Sequence, residues 1–177
     1  MESPFSQLSV QTSADVNIVP PERRPEEHPT NPSFPEIKNW NSVRITLRRT
    51  RCFGNCPSYS VAISGDGSVV YHGDAYVRYC GNLQGQISQD VIQQLAQMFR
   101  SADYFNLFDR YAMNITDAPT YTTSITFDGK SKSVIDYDGL WVGMPETVTD
   151  IEDAVDRLAG PNASAKQRGC CGVYSEV

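Results

Sequence analysis

The sequence YSVAISGDGSVVY, residues 59–71, predicts a β-hairpin more directly than any other part of this chain. Apolar side chains alternate with small polar ones on both sides of the turn sequence GDG, which is typical of two half-buried antiparallel strands. A three-residue loop that ends in a left-handed glycine would place Ile63 opposite Val69 and Val61 opposite Tyr71. We therefore expect these four side chains to share one face of an antiparallel sheet.

One strand is predicted on each side of this hairpin. Before it, Val43, Ile45 and Leu47 alternate with polar residues, which is the two-residue repeat of a half-buried strand. After it, residues 75–80 predict a weaker fourth strand, because polar groups occur on both of its faces. These two segments extend the predicted sheet to four strands.

A second hairpin is predicted from residues 120–127 and 131–137, which flank an Asp-Gly turn. Its register stays open. A two-residue turn sets Ile125 opposite Lys132, whereas one extra loop residue would align the apolar residues of the two strands. We expect a β-bulge here, or a sheet that is wetted on both faces.

Two helices complete the pattern. Ser88 has the character of an N-cap, and the apolar residues after it recur at steps of three and four as far as Ala102. Pro145 opens a second helix, which Gly160 ends. The predicted order is β-β-β-β-α-β-β-α. It indicates an α+β fold with an antiparallel sheet of about six strands and two helices packed on one face.

Composition divides the chain into three parts. Seven of the 11 prolines lie in the first 35 residues and are mixed with charged side chains. Such a segment buries too little apolar surface to offset its ordering entropy, so residues 1–38 predict a disordered, proline-rich tail or linker. Residues 39–160 predict a single α+β domain, and residues 161–177 predict a flexible C-terminal tail.

The charge pattern excludes some classes of partner. The chain has 15 basic and 21 acidic side chains, a formal net charge of -6, and lacks a lysine- or arginine-rich run that could neutralise phosphates. This argues against a nucleic-acid partner. Apolar runs stay well short of the roughly 20 residues that span a bilayer, so we expect no membrane span. The first six residues show no signal peptide.

Cys52 and Cys56 enclose a short loop between the first strand and the hairpin. In a straight strand their Cα atoms would lie about 13 Å apart, whereas a disulfide needs about 4.4–6.8 Å, so the segment must turn if the two pair. Gly54 and Pro57 permit such a turn. Three interpretations stay open at this point: a disulfide, two reduced structural thiols, and metal ligation or redox catalysis.

A zinc site would require His72 and Cys80 in addition to Cys52 and Cys56, since these are the nearby residues that could complete a four-ligand set. His72 and Cys80 lie on different predicted strands and form no second closely spaced ligand pair. The zinc site is therefore a weak alternative.

Arg49 shares its face of the first strand with the apolar residues, so its guanidinium should point toward the covered side of the sheet beside the cysteine loop. A buried arginine must be paired or hydrogen-bonded. We expect the carboxylate of Asp117 to be its partner, with the carbonyls of residues 52–55 as alternative acceptors. Arg49, Tyr59 and Asp117 are the candidate structural or binding residues.

The sequence provides no catalytic residue. His28, in the predicted tail, and His72, on a strand, are the two histidines that could serve as a base for a serine or cysteine nucleophile. A His-Glu-x-x-His helix and a phosphate-binding glycine loop are both missing. We predict no cofactor.

The segment RTRCFGNCPSY at residues 49–59, with DGSVVYHG at 66–73, TDAPT at 116–120 and DGK at 128–130, resembles a family of small bacterial domains of unknown function. The resemblance spans residues 43–160 and centres on the signature Cys-Phe-Gly-x-Cys-Pro-x-Tyr. Many members look like exported or lipid-anchored proteins, which implies an extracytoplasmic or secreted location and supports the disulfide between Cys52 and Cys56. The resemblance implies no known activity.

These observations predict a non-enzymatic binding or protein-interaction module that displays its cysteine loop beside an antiparallel sheet to an unknown protein partner. The alternative is a thiol-redox or other enzyme that uses Cys52 and Cys56, or a protein with the Cys/His zinc site.

Overall fold

The computed structural model describes residues 34–159, and these contain seven β-strands and two α-helices. In chain order they are β1 (Arg44–Arg49), β2 (Ser58–Ser64), β3 (Ser68–Ala75), β4 (Gly81–Gln86), α1 (Gln89–Ser101), β5 (Arg110–Ala112), β6 (Tyr121–Phe127), β7 (Lys130–Tyr137) and α2 (Glu146–Ala159). The predicted α+β fold is confirmed, with one strand more than expected.

All seven strands form one sheet in the order β4-β3-β2-β1-β6-β7-β5. The pairs are antiparallel except β5 with β7, which is parallel. The first hairpin has the predicted register, since Ile63 lies opposite Val69 and Val61 lies opposite Tyr71. Ser88 precedes α1 as predicted, although its side chain makes no capping hydrogen bond.

The fourth strand was predicted at the wrong place. Residues 76–80 form bends with a single β-bridge residue at Val77, and β4 begins only at Gly81. In β4 only Leu83 is buried, so backbone pairing with β3 holds a strand that has almost no apolar pattern. The short parallel strand β5 was not predicted at all.

The second hairpin has the two-residue turn, because Phe127 lies opposite Lys130 and Ile125 lies opposite Lys132. This register turns Val134 and Asp136 toward the buried face of the sheet. The alternative register, with one more loop residue, is therefore wrong. On the inner face of β7, Asp136 therefore occupies a position where the alternation would place an apolar side chain.

The core lies between the helices and one face of the sheet. The helices contribute the buried side chains Ile92, Leu95, Ala96, Phe99, Val148, Ile151 and Val155. The strands contribute buried residues at alternate positions, Ile45 and Leu47 among them. The opposite face is polar, as in the hydrogen bond between the hydroxyls of Thr46 and Ser124 at 2.6 Å.

Residues that precede β1 also pack against the core of the domain. Phe34 is buried, with its ring centroid 5.3 Å from that of Phe105 and 5.4 Å from that of Phe127. The backbone amides of Lys38 and Asn39 donate hydrogen bonds to the Asp128 carboxylate at 2.7 and 3.2 Å. Residues 1–33 and 160–177, which include most of the predicted tails and the predicted helix stop, lie outside the described residues.

Candidate ligand-binding cleft beside the cysteine loop

The loop between β1 and β2 is closed by Cys52 and Cys56, whose sulfur atoms lie at disulfide distance with the Cα atoms 5.5 Å apart. This agrees with the turn that the spacing requires. Phe53, at the tip of the loop, is 88% exposed. The cysteine loop thus presents one large aromatic ring to solvent.

Two sets of contacts hold the cysteine loop to the domain. The amide of Phe53 donates to the carbonyl of Asp117 at 3.3 Å. Arg51 forms a two-pronged ion pair with Asp74 at 3.0 and 2.9 Å. Hydrogen bonds from Arg51 and Ser58 lower the pKa of Asp74. The loop is thus tied both to the segment before β6 and to the end of β3.

A row of four paired residues crosses the sheet near this loop. Tyr59 lies opposite Arg49, Arg49 lies opposite Tyr121, and Tyr121 lies opposite Asp136. Directly paired residues project from the same face of a sheet, so these side chains are neighbours. They lie on the helix-covered face, since Arg49 continues the alternation of the buried residues in β1. We call these four residues the cross-strand row.

Helix α2 places two carboxyl groups over the cross-strand row. Asp156 accepts a hydrogen bond from the Tyr59 hydroxyl, and Glu152 lies one turn earlier on the same side of the helix. Burial, together with the hydrogen bond to Asp156, raises the pKa of Tyr59. Burial also raises the pKa of Asp156, although Tyr59 and Arg49 both act to lower it.

Arg49 points inward as predicted, but its surroundings differ from those expected. Its guanidinium carbon lies 4.6 Å from the centre of the Tyr121 ring, and its Nε atom is buried without a hydrogen-bond partner. Within residues 34–159 no ion pair joins it to Asp117. Asp117 supports the cysteine loop through its backbone carbonyl, and its carboxylate accepts from Thr116 instead. The Arg49 charge acts on Asp156 and Glu152 of α2.

A cleft of about 640 Å³ opens at the β2 end of the cross-strand row. Its walls come from the row, from the segment after β3 and from the end of α2. The lining residues are Arg49, Pro57, Tyr59, Tyr71, Tyr76, Val77, Arg78, Tyr79, Asp156 and Arg157. Four tyrosines and three arginines therefore meet beside the cysteine loop, and we call this space the tyrosine–arginine cleft.

The outer wall of the tyrosine–arginine cleft depends on a close backbone approach. Tyr71 stacks on Tyr59 with ring centroids 5.8 Å apart, and its hydroxyl donates to the carbonyl of Tyr79 at 3.3 Å. Gly73 allows this approach, because a Cβ atom there would lie 1.9 Å from the Tyr79 carbonyl oxygen. The guanidinium of Arg78 lies 5.3 Å from the Tyr79 ring centre.

The four residues of the alternative zinc site do not form a metal-binding group in the described part of the chain. Among the residues that the structure describes, no three His, Cys, Asp or Glu side chains are placed to hold a metal ion. His72 is exposed on β3, where its Nδ1 atom hydrogen-bonds the side chain of Asn82 at 2.7 Å. Cys80 lies just before β4. Cys52 and Cys56 contact each other instead.

Of the residues in the cleft and the cross-strand row, the sequence names Arg49 and Tyr59 as candidates but not the others. Glu152 was overlooked although it follows the buried Val148 by four residues, which places both on the inner side of α2. Tyr121 was also recognisable, because it alternates in phase with the buried residues of β6. The tyrosines at 76 and 79 were attributed to a strand.

Together the fold and the cleft define a small α+β domain with a loop closed by Cys52 and Cys56 and a cleft lined by aromatic side chains. The chain belongs to the family described as "Domain of unknown function (DUF6438)", whose family model matches residues 43–159. This agrees with the resemblance to a family without a known activity. A comparison with curated proteins found no match. Neither helix in the described part of the chain is long and apolar enough to cross a membrane.

Proposed function

We propose that this domain is a non-enzymatic binding module that holds a segment of a partner protein in the tyrosine–arginine cleft. The observation that carries the proposal is the convergence of four tyrosines and three arginines in one cleft of about 640 Å³. Tyrosine and arginine are enriched in the centres of protein interfaces, and clefts of this volume are typical of ligand sites.

The chemistry of the cleft favours an acidic group with an aromatic or apolar neighbour. Arg49, Arg78 and Arg157 outnumber the single carboxylate of Asp156, in a chain whose net charge is -6. Arginine binds carboxylates through paired, charge-assisted hydrogen bonds, and the tyrosine rings offer flat surfaces for stacking. The neighbouring cysteine loop, which contributes Pro57 next to Cys56 to the cleft, also carries the exposed ring of Phe53.

The pairing of Cys52 with Cys56 supports the extracytoplasmic location that the resemblance implies, because disulfides persist in oxidising compartments. The partner would then be met outside the cytoplasm.

The proposal can be tested by an NMR titration with the tripeptide acetyl-Ala-Ala-Phe, either with a free carboxylate or as the amide. We expect the acid to bind at least about tenfold more tightly, because a hydrogen bond to a charged group contributes roughly 1.5–3 kcal/mol. Chemical-shift changes should concentrate at residues 76–79.

The matched variants are Arg78→Gln in the cleft and Arg110→Gln, which is exposed on β5. Arg78→Gln should weaken binding of the acid about tenfold, and Arg110→Gln should change it less than about twofold. Equal binding of acid and amide, or shifts centred on β5, would contradict the proposal.

A further inference from the structure

A second, smaller pocket lies at the other end of the cross-strand row. It has a volume of about 170 Å³ and is formed by β7, the turn Gly139–Val142 and α2. Four carboxyl groups line it, from Asp136, Asp138, Glu152 and Asp153. The rings of Tyr121 and Trp141 also line it, so acidic and aromatic groups meet in a small space.

Glu152 distinguishes this pocket from an ordinary acidic surface. Its side chain is 4% exposed, and its Oε1 atom is buried without a hydrogen-bond partner. The hydroxyl oxygen of Thr149, which also lines the pocket, is likewise buried and unpartnered. Asp136 is 8% exposed and accepts a hydrogen bond from the amide of Gly139 at 2.6 Å. Buried acceptors without donors are costly, so a ligand that supplies donors would be stabilised here.

A ligand that suits these buried acceptors is a cation that carries several hydrogen-bond donors. An ammonium group has three donors, no acceptor and a full positive charge, which matches a pocket rich in carboxylates. Aromatic rings attract the same group through cation–π contacts. Arg49 is the one cation of the cross-strand row, and its guanidinium lies over the ring of Tyr121. The described carboxylates are not arranged to hold a metal ion.

We propose that this pocket binds a primary alkylammonium group, supplied either by a small amine or by a lysine side chain. The ammonium donates to Glu152 and Thr149 inside the pocket, and its alkyl stem leaves past the aromatic rings. This site is separate from the tyrosine–arginine cleft and does not depend on the function proposed for it.

Binding should be linked to pH through Glu152. Burial, the largest cause, and the neighbouring carboxylates of Asp136, Asp153 and Asp156 raise the pKa of Glu152 to about 8, against the opposing effect of Arg49. Tyr121 from β6 and Tyr104 from the turn after α1 also interact electrostatically with it. An alkylammonium stays protonated below about pH 10. Its affinity should therefore rise about tenfold or more between pH 6.5 and 8.5, as Glu152 becomes ionised.

The test is an NMR titration of the full chain with n-butylammonium chloride at pH 8.5 and constant ionic strength, followed at the amide of Gly139 and the indole N–H of Trp141. n-Butanol is the neutral control of equal length. A peptide with one internal lysine, acetyl-Ala-Lys-Ala-amide, separates the two sources of the group: tighter binding of the peptide than of butylammonium indicates a lysine side chain, and the reverse a free amine.

Three variants decide the role of the pocket. Glu152→Gln keeps the side-chain volume and should weaken butylammonium binding at least tenfold, with its pH dependence lost. Asp150→Asn removes one charge from the exposed side of the same helix and should change the affinity less than twofold. Asp138→Asn, an exposed substitution at a left-handed position that asparagine tolerates, should weaken binding about threefold even if Glu152→Gln proves unstable.

The proposal is overturned if butanol produces the same shifts as butylammonium, or if folded Glu152→Gln binds as the unaltered protein does. Calcium chloride that shifts these resonances where butylammonium does not would assign the pocket to a metal ion instead, and this too would overturn it.

Discussion

At the scale of single residues, Arg49 links the tyrosine–arginine cleft with the smaller acidic pocket. It lines the cleft, and it contacts Tyr121, which lines the pocket. Its guanidinium lies over Tyr121, and its charge acts on Asp156 and Glu152 of the helix above. Both carboxyls depend on this one cation within the cross-strand row. Losing the cation would leave buried Glu152 and half-buried Asp156 without the positive charge that acts on both.

We therefore expect Arg49→Ala to reduce the free energy of unfolding by about 3 kcal/mol, because half-buried Asp156 would lose its neighbouring cation and Tyr121 would lose the guanidinium that lies over it. Arg48 lies next to it on the exposed face of β1, so Arg48→Ala should cost less than about 0.5 kcal/mol. Denaturant titrations of the two variants give the comparison. Equal and small losses would show that Arg49 acts as an ordinary surface charge.

The inward direction of Arg49 was predictable from sequence, because residues on a strand alternate between faces. Its surroundings were not. Asp117 is close along the neighbouring loop and was the natural choice, whereas Asp156 comes from a helix more than 100 positions later in the chain. The placement of that helix across the sheet follows from packing, which strand periodicity does not encode.

At the scale of elements, the segment between β3 and β4 forms the outer wall of the tyrosine–arginine cleft. Tyr76 occupies a left-handed conformation with φ of 52°, and the carbonyl of Tyr79 lies against Gly73. Non-glycine residues in this region store strain and are often found at functional sites. Gly73 and the strained Tyr76 together determine the position of the segment between β3 and β4.

Gly73→Ala should displace this wall, since the added Cβ atom would lie 1.9 Å from a backbone oxygen that cannot stay in place. We expect large chemical-shift changes at residues 76–79, a loss of about 2 kcal/mol in stability, and weaker binding of the acetyl-Ala-Ala-Phe acid.

Gly81→Ala is the matched control. It has no atom within 4 Å of the added Cβ, so only its positive φ of 77° causes strain, of about 1 kcal/mol. The cleft resonances should then stay unchanged. If neither variant changes the chemical shifts of residues 76–79, the close approach of the Tyr79 carbonyl to Gly73 does not determine the position of this segment.

The elements show where sequence patterns are informative. The first hairpin and both helices were predicted because their apolar periods are long and regular. Residues 75–80 resembled a strand through their tyrosines and Val77, but these side chains line a cleft instead. β4 has the sequence GNLQGQ and β5 has three residues, so neither carries enough apolar pattern to be recognised. Backbone pairing, with one buried side chain in each strand (Leu83 in β4 and Tyr111 in β5), places them in the sheet.

At the scale of the whole molecule, the buried carboxyls should set the pH dependence of stability. The pKa of Glu152 rises from an ordinary value of 4.5 to about 8 in the folded protein. Between these values the folded chain holds a proton that the unfolded chain has released. Stability contributed by this group is therefore complete below about pH 4.5 and is lost as the pH rises through about 8.

We expect the protein to be less stable at pH 8.5 than at pH 5.5 by about 3 kcal/mol, because one pKa unit corresponds to about 1.4 kcal/mol. Asp136 and Asp156 also have raised pKa values and act in the same direction. Asp66, Asp74 and Asp128 have lowered pKa values, so they change the stability only below about pH 4, outside this range.

The measurement is a series of denaturant titrations across this range, with Glu152→Gln and Asp150→Asn as the variant and its control. Glu152→Gln cannot titrate and should flatten most of the slope, while Asp150→Asn should retain it. A stability that rises from pH 5.5 to 8.5 would mean that Glu152 is ionised and well accommodated in the folded protein.

The hydrogen bonds from Lys38 and Asn39 to Asp128 have a consequence for how the domain can be tethered. They anchor the incoming chain at the turn between β6 and β7. The tyrosine–arginine cleft lies at the opposite end of β1, about 16–20 Å away for a strand of six residues. A protein attached to a support near Phe34 would thus point its cleft outward, whereas attachment near the end of α2, beside Arg157, would crowd the entrance.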